Sequence, residues 1–320
     1  MATLGEFELI ERFFTRPAGR AVLGIGDDCA LIAPGPGLAL AVSCDMLIEG
    51  RHFLSTVAPY RLGHKTLAVN LSDLAACGAR PTAFTLALAM PRAEEEFLEG
   101  FARGMFALAD RHGCELVGGD TTRGPLAICI TVFGEVARTS ALLRSGARAG
   151  DDVWVSGTLG DARLALEAFR GTLSLAESDF AQARQAMEMP EPRVDLGLAL
   201  RGVASSAIDV SDGLAGDLAH VLRRSGVSAV VDVDALPRSA MLAACPASIQ
   251  RECLLSGGDD YELAFTAPVE RRAEVISAGA SARVRVTRIG SVEGGSGLRF
   301  VDGDGRPQPY EIASFDHFRS

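Results

Sequence analysis

Two kinds of apolar pattern alternate along the first half of the sequence, and this alternation constrains the fold more than any other feature. Short, nearly continuous apolar segments such as "LALAVSCDML", "TAFTLALAM" and "LAICITVFGEVA" are typical of strands. Between them, residues 62–79 and 94–112 carry apolar side chains at helical spacing, and Gly113 is expected to cap the second helix. The pattern predicts an α/β arrangement.

A second pattern begins after a break in this alternation. The segment "RTSALLRSGARAGDD" loses apolar periodicity and is rich in Gly, Ala and Arg. Strand-like "DVWVSG", helical "DARLALEAFR", strand-like "SSAIDVS" and helical "LAGDLAHVLRRSG" follow, and the tail is rich in β-formers. We therefore place a domain boundary near Arg138, which divides the chain into domains 1–138 and 139–320. A length of 320 residues is consistent with about two domains.

Composition excludes several classes of protein. The formal net charge of −10 argues against a nucleic-acid or anionic-membrane partner. Lys65 is the single lysine, so no P-loop motif is present. The seven cysteines lack the spacing of a zinc site, and no apolar run reaches the ~18 residues of a membrane span. We expect a cytoplasmic protein without a signal peptide.

Aspartates recur at positions predicted to end strands. Each follows small or apolar residues: Asp27 and Asp28 in "GIGDDC", Asp45 in "AVSCD", Asp120 in "ELVGGD", Asp209 and Asp212 in "IDVSDG", and Asp259 and Asp260 in "LLSGGDD". Asp73 extends a polar stripe formed by Thr66 and Asn70 on the first long helix. Any one of these aspartates could be a turn residue, and Asp212 could simply cap a helix.

Convergence of these aspartates would require cations. Two carboxylates ~4 Å apart repel by about 4 kcal/mol at an effective dielectric constant of ~20. Oxygen ligands without nearby His or Cys clusters favour Mg²⁺ over Zn²⁺. Because Mg²⁺ also binds phosphate oxygens, glycines beside carboxylates predict ATP-dependent phosphoryl transfer.

The same segments carry a family resemblance. In order along the chain, "GIGDDCA", "SCDMLIEGRHF", "KTLAVNLSDLAACGARP", "VGGDTTRG", "AIDVSDGL" and "SGGDDYEL" resemble the motifs of the thiamine-monophosphate kinases, of the aminoimidazole-ribonucleotide-synthetase-like superfamily. The resemblance implies an N-terminal metal- and ATP-binding α/β domain and an α+β C-terminal domain. It also implies a homodimer in which the small mixed N-terminal sheets pair into a barrel, and Mg²⁺-dependent, in-line transfer from ATP to thiamine monophosphate.

The resemblance also implies the roles of individual residues. The implied Mg²⁺ ligands are Asp28, Ser43, Cys44, Asp45, Asp73, Asp120, Asp209 and Asp212; the implied ATP contacts are Gly119, Arg144 and Ser211; the implied thiamine-monophosphate contacts are His52, Asp259 and Phe315. Cys44 replaces a usual Thr and would contact metal through its carbonyl oxygen, and Asp259 replaces a usual Glu. No general base is expected, since the attacking phosphate oxygen is already ionised.

The sequence also allows other roles for several of these residues and other functions for the chain. His52 could be a strand-end hydrogen-bonding residue, Arg144 a linker charge, and Phe315 a core residue of a tail packed on the domain. Another ATP-using enzyme of the superfamily, such as selenophosphate synthetase or aminoimidazole ribonucleotide synthetase, is the nearest rival function. A non-catalytic metal-binding protein is the rival from a different class.

Overall fold

The computed structural model describes residues 6–17, 19–25 and 29–310 and is divided into two compact units. The first contains the described residues up to Leu74 together with Ala79–Thr139. The second contains Ala75–Gly78 and the described residues from Ser140 onward. Both units combine helices with a mixed sheet, so the fold is a mixed α/β fold of two domains.

The first unit is built around a four-stranded sheet in the order β1-β4-β2-β3. Its elements are α1 (Glu6–Phe13), β1 (Leu38–Ile48), α2 (Pro59–Ala76), β2 (Arg80–Met90), α3 (Glu95–His112), β3 (Glu115–Arg123) and β4 (Ala127–Ala137), the last two residues of α2 belonging to the second unit. Strands β2 and β3 are parallel, and the other two pairs are antiparallel. In the described part of the chain this sheet is open, with β1 and β3 at its edges.

One face of this sheet is in the core and the other is open. On β4, Ile128, Ile130 and Val132 are buried, and the residues between them are partly exposed. On β1 the open face is apolar: Val42 is 56% exposed and Met46 is 54% exposed, and Leu40 and Ile48 are exposed beside them. A large apolar surface of this kind is uncommon on a monomer and typically marks an interaction site.

The sequence predicted the two long helices of this unit with small errors at their ends, and it did not predict α1. Helix α2 begins at Pro59, because proline fits the first helical position, and it ends at Ala76, just before Gly78 adopts a left-handed conformation (φ 63°). The predicted range of 62–79 was therefore three residues too late. Helix α3 ends at His112, and Gly113 (φ 59°) is its C-cap, as predicted.

Helices α2 and α3 touch through glycines. A Cβ atom at Gly104 would lie 1.9 Å from the carbonyl oxygen of Tyr60, and one at Gly63 would lie 2.0 Å from the carbonyl oxygen of Phe101. Neither position can hold a side chain without separating the two helices. This contact fixes α2, which carries Asn70 and Asp73.

The Gly104→Ala variant is expected to be less stable than the parent by about 1–3 kcal/mol, the usual cost of overpacking. Alanine in an unobstructed helix would instead stabilise it by about 1 kcal/mol. Urea unfolding followed by circular dichroism measures the difference. Gly294→Ala is the control, because a Cβ atom there has no neighbour within 4 Å. Equal stability of the two variants would contradict the close helix contact.

The second unit contains a six-stranded sheet in the order β10-β7-β9-β5-β8-β6. Its strands are β5 (Asp152–Ser156), β6 (Ser206–Asp209), β7 (Ser228–Asp232), β8 (Leu263–Ala267), β9 (Val286–Glu293) and β10 (Gly297–Val301). Its helices are α4 (Asp161–Phe169), α5 (Glu177–Glu188), α6 (Val194–Ala199), α7 (Leu214–Ser225), α8 (Ala240–Ala243), α9 (Ala247–Ser256) and α10 (Arg272–Ser281), the last preceded by a 3₁₀ turn at Val269–Arg271. Among the described strands of this sheet, β7 and β10 pair in parallel and the other pairs are antiparallel.

Candidate active site

Strand β1 and helix α2 bring four of the polar residues of the first unit together. The hydroxyl of Ser43 donates to Oδ2 of Asp73 at 2.5 Å. The backbone N–H of Asp45 donates to Oδ1 of Asn70 at 3.0 Å, and the amide of Asn70 donates to the carbonyl of Thr66. The polar stripe of α2 is therefore not a solvated helix face, since Thr66 and Asn70 are fully buried and Asp73 is half-buried.

Cys44 points away from this cluster. Side chains alternate along a strand, so the thiol of Cys44 lies on the open face, opposite Ser43 and Asp45. Its Sγ atom is 3.4 Å from Sγ of Cys129 on β4. Burial, together with the neighbouring Cys44, raises the pKa of Cys129 to about 11. Any metal contact of Cys44 on the face that carries Ser43 would therefore use its backbone carbonyl oxygen and not its thiol.

Two predicted strand ends are wrong in the first unit. Asp45 lies inside β1, which continues to Ile48, and Asp120 lies inside β3, which continues to Arg123. Each strand pairs with a neighbour beyond its aspartate, so pairing rather than composition sets its length.

Asp45 and Asp120 lie on opposite edges of the sheet. Asp45 pairs with Ile130, Ile130 with Leu86, and Leu86 with Gly119, the residue before Asp120. Three interstrand spacings separate the two edges, about 14 Å along the sheet. The two carboxylates are not neighbours within this unit. Gly119 is confined by its partner strand, since a Cβ atom would lie 1.9 Å from the carbonyl oxygen of Leu86.

His52 is a strand-end hydrogen-bonding residue, which is the simpler of the two roles that the sequence allowed. Nδ1 of the His52 ring accepts the backbone N–H of Ile48 at 3.0 Å. The backbone N–H of His52 donates to the carbonyl of Ile48 at 2.9 Å. It therefore closes the turn at the end of β1. Its implied contact with thiamine monophosphate stays a prediction.

In the second unit, β6 ends at Asp209, two residues before the end of the predicted strand segment "SSAIDVS". Asp209 is buried, and the loop Val210–Gly213 leads to α7, whose N-cap is Gly213. Asp212 therefore precedes the cap and is not the capping residue. The carboxylate of Asp217, in the first turn of α7, accepts the backbone N–H groups of Ser211 and Asp212 at 3.1 Å each.

Asp217 was not singled out by the sequence. It is buried, and burial together with the charge of Asp212 raises its pKa to about 7. An aspartate in the first turn of a helix is ordinary in sequence, because negative charge there is favourable in any helix. The signal that marks it is spatial, since its partners belong to the preceding loop.

The segment Gly257–Tyr261 lies directly against this loop. The N–H of Asp259 donates to the carbonyl of Ser211 at 2.8 Å, and the N–H of Tyr261 donates to the carbonyl of Val210 at 2.9 Å. A Cβ atom at Gly258 would lie 2.6 Å from the carbonyl oxygen of Ser211. Asp259 and Tyr261 have left-handed φ angles of 62° and 53°, a strained conformation that is often found at functional sites.

The predicted strand end before Asp259 is wrong, because "LLS" ends helix α9. A short apolar run does not distinguish a buried helix end from a strand. Asp260, next to Asp259, accepts the N–H of Gly160 at 2.9 Å, and desolvation of its carboxyl raises its pKa well above the usual range. Asp260 therefore holds the segment in place, and Asp259 is half-buried beside it.

Helix α7 also holds the segment that carries Arg144. At the end of α7, the hydroxyl of Ser225 accepts the N–H groups of Gly146 and Ala147 at 3.1 and 3.2 Å and donates to the carbonyl of Arg144 at 3.3 Å. Between the two ends, burial and the charges of Arg223 and Arg144 lower the pKa of His220. One helix thus fixes both segments implied in ATP contact, those of Ser211 and Arg144.

Family models match both units of the chain. The model "AIR synthase related protein, N-terminal domain" matches residues 26–136, and "AIR synthase related protein, C-terminal domain" matches residues 148–303. Thiamine-monophosphate kinase from Salmonella typhimurium is 44% identical over 98% of each chain. The chain belongs to the thiamine-monophosphate kinase family.

Solved structures of this family have the same fold. The crystal structure of thiamine-monophosphate kinase from Stenotrophomonas maltophilia K279a aligns with a TM-score of 0.84 and 46% identity, covering 90% of this chain and 92% of the other. The structure of AaThiL complexed with AMPPCP and TMP aligns with a TM-score of 0.78 and 32% identity, covering 89% of each.

Membership of the thiamine-monophosphate kinase family decides between the rival classes. The chain is an enzyme, and neither a non-catalytic metal-binding protein nor another member of the superfamily is supported at this similarity and coverage. No helix in the described ranges combines the length and the apolar character needed to cross a membrane.

The metal ligands implied by the family resemblance are only partly assembled in the described residues. Within 6–17, 19–25 and 29–310, no group of three or more His, Cys, Asp or Glu side chains is placed to hold a metal ion. Asp28 and Phe315 lie outside those ranges. The oxygen donors that are together, Ser43 and Asp73, suit a hard cation such as Mg²⁺.

Proposed function

We propose that the chain transfers the γ-phosphoryl group of ATP to the phosphate of thiamine monophosphate, forming thiamine diphosphate and ADP. The observation that carries this proposal is the likeness to AaThiL complexed with AMPPCP and TMP, at 32% identity over 89% of each chain. The hydrogen bond between Ser211 and Asp259 supports this proposal. Ser211 is implied in ATP contact and Asp259 in thiamine-monophosphate contact, so the bond holds a loop for the phosphoryl donor against a loop for the acceptor.

The carboxylates of both units have one role in this proposal. Several Mg²⁺ ions would be bound through side-chain or backbone oxygens of eight residues: Asp28, Ser43, Cys44, Asp45, Asp73, Asp120, Asp209 and Asp212. Asp212 would bind from the loop before α7. Bound Mg²⁺ would neutralise phosphate charge and orient the phosphates for in-line transfer. Since Asp45 and Asp120 are about 14 Å apart along one sheet, the set requires more than one ion.

The residues of the chain position the reactants and need not move a proton. The attacking oxygen belongs to a phosphate that is ionised at neutral pH, so no general base is required. Gly119, Arg144 and Ser211 would contact ATP; a guanidinium such as that of Arg144 is suited to bidentate contact with phosphate. His52, Asp259 and Phe315 would contact thiamine monophosphate, with Asp259 reaching one methylene less far than the usual Glu.

We further propose that the chain is a homodimer that buries the open face of the first sheet. The exposed apolar side chains of Leu40, Val42, Met46 and Ile48 support this arrangement. A second copy would cover the same residues in return, as a two-fold interface requires. The paired sheets would then form the barrel that the family resemblance implies.

ADP release from ATP tests the proposed reaction. We expect release that depends on both thiamine monophosphate and Mg²⁺, with thiamine diphosphate formed in equal amount and detected by chromatography. Thiamine, which lacks the accepting phosphate, is the control and should give no product. ADP release that is unchanged when thiamine monophosphate is omitted would contradict the proposal.

A further inference from the structure

The loop Val210–Gly213 is held on both sides by groups from elsewhere in the second unit. On one side, Oδ2 of Asp217 accepts the N–H groups of Ser211 and Asp212. On the other side, the N–H groups of Asp259 and Tyr261 donate to the carbonyls of Ser211 and Val210. The backbone of Ser211 is therefore fixed through both its N–H and its carbonyl group.

Asp217 does not act as an ordinary helix cap. The N-cap of α7 is Gly213, which has no side chain with which to cap the helix. The two N–H groups that Asp217 accepts precede the helix, in the loop that carries Ser211 and Asp212. Asp217 is 4% exposed, so its side chain is held in place by the residues packed around it. Its carboxylate can therefore fix the position of the loop residues that it hydrogen-bonds.

We propose that Asp217 is a positioning residue for phosphoryl transfer, which sets the direction of the Ser211 and Asp212 side chains by binding their backbone N–H groups. This inference rests on the proposed function, in which Ser211 contacts ATP and Asp212 holds Mg²⁺. Asp217 itself touches neither reactant. When the accepting oxygen of Asp217 is removed, the loop keeps its contacts to Asp259 and Tyr261. It loses the fixed orientation of the N–H groups of Ser211 and Asp212.

Three variants separate positioning from plain stabilisation. Asp217→Ala removes both hydrogen bonds. Asp217→Asn keeps an oxygen that can accept both N–H groups, because a single oxygen accepts them in the parent. Asp152→Ala is the matched control: Asp152 is also a buried aspartate of the second unit, and its hydrogen bonds go to Arg272 and Arg288 instead of the loop.

Steady-state kinetics and thermal unfolding are measured for all three at a temperature where each is folded. Asp217→Ala is expected to lower kcat/KM for ATP by ~100-fold, the scale of a misplaced reacting group, and Asp217→Asn to restore most of it. Asp152→Ala is expected to lower Tm and leave kcat/KM unchanged. A parent protein without thiamine-monophosphate-dependent ADP release would defeat the proposed function itself.

With an active parent, two outcomes would overturn the inference alone. One is an Asp217→Ala variant that behaves like Asp152→Ala, with a lower Tm and unchanged kinetics. The other is an equal kinetic loss in Asp217→Asn and Asp217→Ala, since an accepting oxygen would then make no difference to the loop.

Discussion

The Asp73→Asn variant is expected to fold normally and to lose at least ~100-fold in kcat, the scale of removing one key electrostatic stabiliser. Asn keeps the shape of the side chain and an oxygen that can accept the hydroxyl of Ser43. It loses the negative charge that would hold Mg²⁺ against phosphate. Asp73 lies half-buried on α2 and accepts the hydroxyl of Ser43 from β1, so its position is fixed.

Asp110→Asn is the control for this change. Asp110 also lies on a helix of the first unit, but it is exposed and pairs with Arg16 at 2.9 Å. A surface substitution of this kind changes stability by about 0.5 kcal/mol or less, and its kcat should equal that of the parent. If Asp73→Asn turned over at the parent rate, Asp73 would be a structural residue and would leave the proposed ligand set.

Sequence predicted the elements of the first unit well because the periodicity there is strong. Continuous apolar strands alternate with helices whose Leu67, Leu71 and Leu74, or Phe101, Met105 and Leu108, recur at helical spacing and are buried in the structure. The errors fall at ends, where local rules compete: α2 starts at Pro59 rather than residue 62, and β1 continues past Asp45.

The relation between distant segments could not be predicted from local pattern. Ser211 and Asp259 are adjacent because β6 and β8 are neighbours in the sheet, with Asp209 paired to Leu263. No spacing in the sequence encodes that pairing. Asp217 was missed for the same reason, since its role appears only once the loop before α7 is folded back on its carboxylate.

The open face of the first sheet is a different case. The segment "LALAVSCDMLI" is apolar at nearly every position, which is typical of a strand buried on both faces. In the structure one face is covered within the unit, and Leu40, Val42, Met46 and Ile48 are exposed on the other. The sequence pattern therefore predicts a strand buried on both faces, whereas the single chain buries only one face of it. A second copy of the chain would bury the other face.

The Val42→Glu variant is expected to convert the proposed dimer into a monomer. A charge at the centre of an apolar interface would lose its hydration without gaining a partner, and an isolated buried charge costs far more than the few kcal/mol that one side chain contributes to an interface. Two copies of the substitution would enter each two-fold interface, which doubles the cost. Light scattering after size-exclusion chromatography measures the mass directly.

Leu143→Glu separates a specific interface from a general effect of added charge. Leu143 is 55% exposed, nearly the same as Val42 at 56%, but it belongs to the second unit and is not a residue of the first sheet. We expect the Leu143→Glu protein to keep the mass of the parent and the Val42→Glu protein to have half of it, with both retaining the parent's circular dichroism. A parent that is already monomeric, or a Val42→Glu protein of unchanged mass, would show that this face is not the dimer interface. The exposed apolar side chains of β1 would then need a different partner, because the first unit itself leaves them uncovered.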